Sequence, residues 1–193
     1  MIDYIKGAIV KITPACVVLE TSGVGYFLNI SLTTFSELEK KTEAKILVHE
    51  VIREDAHQLF GFATEKEREV FRHLISVTGV GANTARMMLS SLSPAELEIA
   101  IISSDVNILK SIKGIGLKTA QRIIVDLKEK LEKNSETSEI FTFSDNTNRE
   151  EALSALVMLG FAKNAVSKIL DKIVREEKNL TVEAMIKRAL KDL

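Results

Sequence analysis

The sequence predicts an α+β chain of several domains: a small β-barrel, then an all-α region, then a short helical tail. Three observations carry this. β-branched and aromatic runs separated by turn signals fill residues 1–63, and the apolar spacing becomes helical from Thr64 onward. One short glycine motif occurs twice in the helical part, as Gly79-Val80-Gly81 and Gly114-Ile115-Gly116. A polar stretch at 134–148, with three acidic and no basic side chains, separates that part from the end of the chain.

In the first part, strands are predicted at 2–12, 15–20, 25–31, 45–52 and 57–62, punctuated by Thr13-Pro14 and Ser22-Gly23, with a helix near 35–40. Five short strands and one connecting helix suit an OB-fold, a five-stranded barrel used on oligonucleotides. Cys16 lies in an apolar run and reads as a buried strand residue. From Thr64, a Thr64–Glu67 capping box opens a helix carrying Val70, Phe71, Leu74 and Ile75. A second box, Ser93-Pro94-Ala95-Glu96, opens another, Asp105 caps a third, and a long last helix runs through Leu131, so that 64–133 forms about five helices. Residues 134–148 read as a flexible acidic tether in which Ile140, Phe141 and Phe143 offer the only apolar docking points. Residues 149–193 carry helical patterns at 152–159, 162–174 and 182–190, the last behind a Thr181 cap. The turn Leu159-Gly160-Phe161 resembles the Met-Gly-Phe turn of UBA-like (ubiquitin-associated) three-helix modules, which dock partners.

The duplicated motif carries the functional signal. In each copy an apolar helix runs into glycine, a hydrophobic residue and glycine, and a second helix follows at once. Glycine lets a ligand press against the main chain, and the N–H groups of the first turn favour an anion. Such a helix-hairpin-helix pair grips nucleic-acid phosphates without reading bases. Neither copy continues as GxGxxG, and Gly116-Leu117-Lys118-Thr119 is not a complete phosphate-binding loop, so a nucleotide site is excluded.

The net charge of −1 hides an uneven distribution: −2 over 1–64, +2 over 65–133, −3 over 134–148 and +2 over 149–193. With no broad basic block, affinity must come from aimed backbone donors, a few placed cations and several subunits acting together. A single cysteine excludes a disulfide within the chain, and charges interrupt the N-terminal segment where a signal peptide needs an apolar core. No apolar run reaches transmembrane length, so a soluble cytoplasmic protein is expected. His49, His57 and His73 are scattered without metal-ligand spacing, and no nucleophile stands beside a base; neither a catalytic centre, a metal site nor a cofactor is predicted.

The order of barrel, tandem helix-hairpin-helix, acidic tether and three-helix tail resembles the RuvA family, the Holliday-junction-binding subunits of the bacterial branch-migration machine. The marks are Gly23-Val24-Gly25-Tyr26, Arg53-Glu54-Asp55-Ala56, Leu59-Phe60-Gly61-Phe62 and the two hairpins, and they span the chain end to end. The resemblance implies a four-fold homotetramer, alone or as two tetramers face to face, holding an open four-way junction. It further implies recruitment of the hexameric ATPase RuvB by the tail, with the resolvase RuvC as another partner, in recombination and repair. It assigns DNA binding to Gly79, Val80, Gly81, Asn83, Gly114, Ile115 and Gly116, an acidic pin to Glu54 and Asp55, and the motor contact to Leu156, Leu159 and Phe161. Lys118 and Arg122 join the DNA-binding set on their spacing, one turn apart at the start of the helix after the second hairpin, where both can face the same phosphate track.

Two positions depart from the family pattern: Asn83 and Leu117 stand where a lysine is common in each hairpin, which leaves Arg86, Lys110 and Lys113 as candidate replacements. Read without the family, Glu54 and Asp55 are a solvated turn, and Leu156 suits core and interface equally. The alternative function is a helix-hairpin-helix DNA-repair nuclease or glycosylase; a ubiquitin-type adaptor leaves the hairpins unexplained.

Overall fold

A computed structural model describes residues 1–139, 144–177 and 180–192 of the chain. Residues 1–135 pack as one compact unit and 136–193 as a second.

The first unit opens with strands β1 (Tyr4–Thr13), β2 (Cys16–Thr21) and β3 (Val24–Ile30), helix α1 (Leu32–Leu38), and strands β4 (Glu43–Ile52) and β5 (His57–Phe62). They close a barrel in the order β1-β2-β3-β5-β4, with β3 and β5 parallel and the other neighbours antiparallel. Local chemistry sets the hairpins. Thr13 Oγ1 accepts the N–H groups of Ala15 and Cys16 and tightens the β1–β2 turn. Ser22 and Gly23 both have positive φ, 51° and 79°, the type I′ geometry that matches strand twist. Inward residues Ile5, Val17, Leu19, Leu28, Ile30, Ile46 and Val48 fill the barrel, and Leu38 of α1 joins them. Cys16 differs from expectation: it begins β2 beside the turn, is only half-buried, and its Sγ lies 3.1 Å from Thr13 Oγ1.

Five helices follow: α2 (Glu65–Ile75), α3 (Ala82–Ser91), α4 (Pro94–Ile102), α5 (Val106–Ser111) and α6 (Leu117–Glu139). The Ser93–Glu96 capping box forms in full, and Asp105 accepts from the N–H groups of Asn107 and Ile108. The Thr64–Glu67 box forms by half. Thr64 caps Glu67 N–H, but the Glu67 carboxylate turns away into the barrel junction, where Ser31 Oγ and Thr34 Oγ1 (2.7 Å) donate to it. Its neighbour Arg68, 6% exposed, bonds the Asp3 carboxylate at 2.7 Å, the Asp3 carbonyl at 2.9 Å and Glu65.

The change of periodicity at Thr64 marks no gap in packing. Phe60 and Phe62 of β5 belong to the core of the helices, with ring centroids 5.3 and 4.8 Å from Phe71 of α2. Helix α6 runs past Leu131, its last buried apolar residue, to Glu139, so the apolar pattern stops before the helix does.

The second unit contains α7 (Ser144–Met158), α8 (Lys163–Glu176) and α9 (Val182–Asp192) around Ala152, Leu156, Val166, Leu170, Ile173, Met185 and Ala189. Helices thus occupy both ends of the stretch expected as a tether, while Ile140, Phe141 and Phe143 lie outside the described residues. Among the described residues no helix is long and apolar enough to cross a membrane.

Candidate nucleic-acid interface

The two glycine hairpins are built alike. In the first, Val77 and Val80 bury their side chains and Val80 N–H closes on Val77 O at 3.0 Å. In the second, Ile112 and Ile115 do the same, with Ile115 N–H on Ile112 O at 3.1 Å. Gly79 and Gly114 stand between these anchors at φ 95° and 91°, a region costly for any side chain. Gly81 and Gly116 accept the first helical bonds, from Ala85 and Ala120, both at 2.9 Å. Val80 and Ile115, expected among the DNA contacts, put their side chains in the core and their N–H groups into the turn. Their part is to hold the glycines outward.

Nothing inside the protein requires glycine at 81 or 116. A Cβ built on either meets no atom within 4 Å, and Gly81 has the extended backbone of an ordinary helix N-cap, φ −83° and ψ 164°. Serine or asparagine there would cap α3, whose N-terminus has no side-chain cap. Glycine gives up that bond and leaves the first-turn N–H groups unobstructed, which suits close approach by an anion.

Thr78 and Gly79 of the first hairpin and Lys118, Thr119, Gln121 and Arg122 of α6 line one open depression. Arg122 Nη1 reaches the Thr78 carbonyl at 3.5 Å, so a cation from the helix of the second hairpin stands against the first. Thr78 and Gln121 were not singled out from the sequence; Thr78, next to Gly79 within the motif, was the available signal. Asn83 and Leu117 are exposed, as are Lys110 and Lys113. Arg86, a candidate replacement cation, is instead engaged with the Ala15 carbonyl at 2.8 Å.

Glu54 and Asp55 form the exposed end of the β4–β5 hairpin, closed below by Arg53 N–H on Ala56 O at 2.8 Å. Beneath the turn, Glu50 accepts the Ile2 N–H, which chiefly holds its carboxyl below the usual range, and lies 3.4 Å from His57. His49 sits edge-on to Phe71, and burial lowers its pKa. Among the described residues no group of three or more potential metal-ligating side chains comes together.

The tail assignment needs correction. Leu156, expected at the motor contact, is 0% exposed and belongs to the core of its unit. Leu159 is 63% exposed and its neighbour Met158, which the sequence did not single out, 86%. Phe161 is half-buried and packs against the core. The turn is a Schellman motif: Gly160 has φ 99°, its N–H bonds Val157 O at 3.0 Å, and Phe161 N–H bonds Leu156 O at 3.2 Å. That geometry turns Phe161 back against the core of the unit and leaves Met158 and Leu159 outside.

Comparison with known proteins places this architecture. The chain matches the family models "RuvA N terminal domain" over residues 1–61, "SAM-like Helix-hairpin-helix tandem" over 71–129 and "RuvA, C-terminal domain" over 147–193. It is 50% identical over 193 residues to the Holliday junction branch migration complex subunit RuvA of Christiangramia forsetii, covering 100% of both chains. It is 49% identical over 193 residues to the protein of that name from Flavobacterium psychrophilum, and 48% over 202 residues to that from Porphyromonas gingivalis, again covering 100% of each.

Proposed function

The chain belongs to the RuvA family, and from that membership we propose that it binds four-way DNA junctions by structure and not by sequence, as a non-catalytic subunit of a branch-migration complex. The observation that supports this is the pair of alike hairpins with open glycines, the first of which shares a depression with Lys118 and Arg122 of the helix that follows the second. Backbone N–H groups and two cations suit phosphates, and phosphate contacts fix position without carrying sequence information directly. The working form is a homotetramer in which four copies of this weakly charged surface act together, one arm of the junction to each subunit. Tail residues Met158 and Leu159 offer an apolar contact to the RuvB motor, with Phe161 supporting the turn from behind.

Gel shift of the full chain with a four-way junction and with linear duplex, each with and without magnesium, tests the reading. Preferential retention of the junction with strands intact is expected. Equal affinity for the two substrates at physiological salt refutes it, and cleavage in magnesium favours the nuclease alternative. Lys118→Ala and Arg122→Ala should each weaken binding and flatten the log–log salt dependence, by about 0.9 for every phosphate that is no longer neutralised. An unchanged slope in both would place the phosphate track elsewhere.

Glu54 and Asp55 act as an acidic pin that repels backbone phosphates at the crossover and keeps the junction open. Neutralising both, to Gln and Asn, should tighten binding or relax selectivity toward linear duplex, and alter motor-driven migration rates. Wild-type selectivity together with wild-type migration would make the pair an ordinary solvated turn.

A further inference from the structure

We propose that Arg86 is a positioning residue for junction recognition, latching α3, and with it the first glycine hairpin, to the barrel that carries Glu54 and Asp55. The inference rests on the junction-binding reading above. Arg86 lies one turn into the helix that starts at the hairpin, where a cation would ordinarily be read as a phosphate ligand. Its Nη1 instead donates to the Ala15 carbonyl at 2.8 Å, an oxygen that also accepts the Ile30 N–H at 3.1 Å and so belongs to the barrel wall. Further along the same face of α3, Thr33 Oγ1 donates to Leu89 O at 2.8 Å. Leu32 N–H donates to Ser90 Oγ at 3.1 Å, and that hydroxyl donates to Arg86 O at 2.8 Å. Positions 86, 89 and 90 are neighbours on a helix surface, so the three contacts form one polar seam between α3 and the barrel with its first helix.

The seam matters because selectivity for a four-way junction over a linear duplex is a matter of spacing. The two hairpins of a subunit hold a duplex arm by its phosphates whatever the shape of the DNA beyond it, but only a fixed distance from the hairpins to the pin makes an open crossover fit better than a straight helix. A carbonyl-bound guanidinium fixes that distance without neutralising a phosphate. A positioning Arg86 and a phosphate-binding Arg86 therefore differ in salt dependence.

The test uses the full chain with Arg86→Ala, Arg86→Lys and Thr33→Val, the last opening the seam from the barrel side with no change of charge. For each, affinity for four-way and for linear DNA is measured across a salt series, alongside the thermal midpoint. The expected result for Arg86→Ala and Thr33→Val is a fall of about fivefold in the four-way to linear ratio, equivalent to about 1 kcal/mol. Linear-duplex affinity and salt slope should stay as in the parent, and Arg86→Lys should restore much of the ratio because its ammonium can still donate to Ala15 O. A flatter slope with weakened linear binding in Arg86→Ala identifies a phosphate ligand and overturns the proposal, as does an unchanged ratio in both Arg86→Ala and Thr33→Val. A parent chain that shows no preference for four-way DNA refutes the junction-binding reading itself; a selective parent with equally selective variants refutes only the positioning role.

Discussion

Replacing Gly81 and Gly116 together with valine lowers affinity for four-way DNA by about tenfold or more, the equivalent of at least about 1.4 kcal/mol, while the chain stays folded. The expectation follows from what surrounds the two positions. Neither glycine has positive φ, and no protein atom lies within 4 Å of a Cβ built on either, so valine finds room and needs no strained backbone. The cost to folding is confined to a poorer helix start, at most about 1 kcal/mol at each site. A phosphate pressed against the main chain would meet two methyl groups at each hairpin. Gly79→Val and Gly114→Val make the contrasting pair, because φ values of 95° and 91° cost a β-branched residue about 1–3 kcal/mol of stability each. Thermal melts run beside binding titrations separate the two classes. Full affinity in the Gly81→Val/Gly116→Val double variant, with unchanged salt slope, would remove the hairpins from the DNA path.

Glu67→Ala destabilises the first unit by about 2–6 kcal/mol, because two buried hydroxyl donors lose their acceptor at about 1–3 kcal/mol apiece. Ser31 Oγ already accepts the Thr34 N–H and Thr34 Oγ1 the Ala63 N–H, so neither hydroxyl can turn freely toward another partner. Burial raises the Glu67 pKa, with the hydroxyl hydrogen bonds opposing. A carboxyl raised on folding binds its proton more tightly in the native state. Its pH-dependent contribution is therefore fully present below the unfolded value, about 4.3, and is lost as pH rises through the raised native value. The gap between parent and Glu67→Ala should be widest in acid and narrow toward neutral pH. Urea midpoints from pH 4 to 8 check this, and a gap constant across the range would show that Glu67 titrates as it does in the unfolded chain.

The sequence announced what depends on neighbours and missed what depends on distance. Both hairpins, all five strands and the Ser93 and Asp105 caps are local patterns, and each formed within a few residues of its predicted place. The Thr64–Glu67 spacing foretold the bond from Glu67 N–H to the Thr64 hydroxyl correctly but not the place of the carboxylate, whose partners lie 33 and 36 residues earlier. Arg86 looked like a free cation since nothing nearby reveals a carbonyl 71 residues before it. In the tail, Leu156 and Leu159 sit one turn apart on an apolar pattern, and only the assembled helices decide that the first is core and the second is surface. Helix α6 runs on to Glu139 although its apolar spacing ends at Leu131, because hydrophobic spacing reports burial and not helix length.

Phe60 and Phe62 tie the barrel and the helices after it into one packed body. A fragment beginning at Thr64 would keep both hairpins but lose the two rings that sit against Phe71, leaving a hole under the helix that leads to the first hairpin. A fragment ending at Ala63 would expose the same rings to water. The tandem motif is portable as a pattern of letters, but in this chain its rigidity is borrowed from the last strand of the barrel. Shuffling it onto another protein would have to carry that strand along, or supply two aromatic rings of its own.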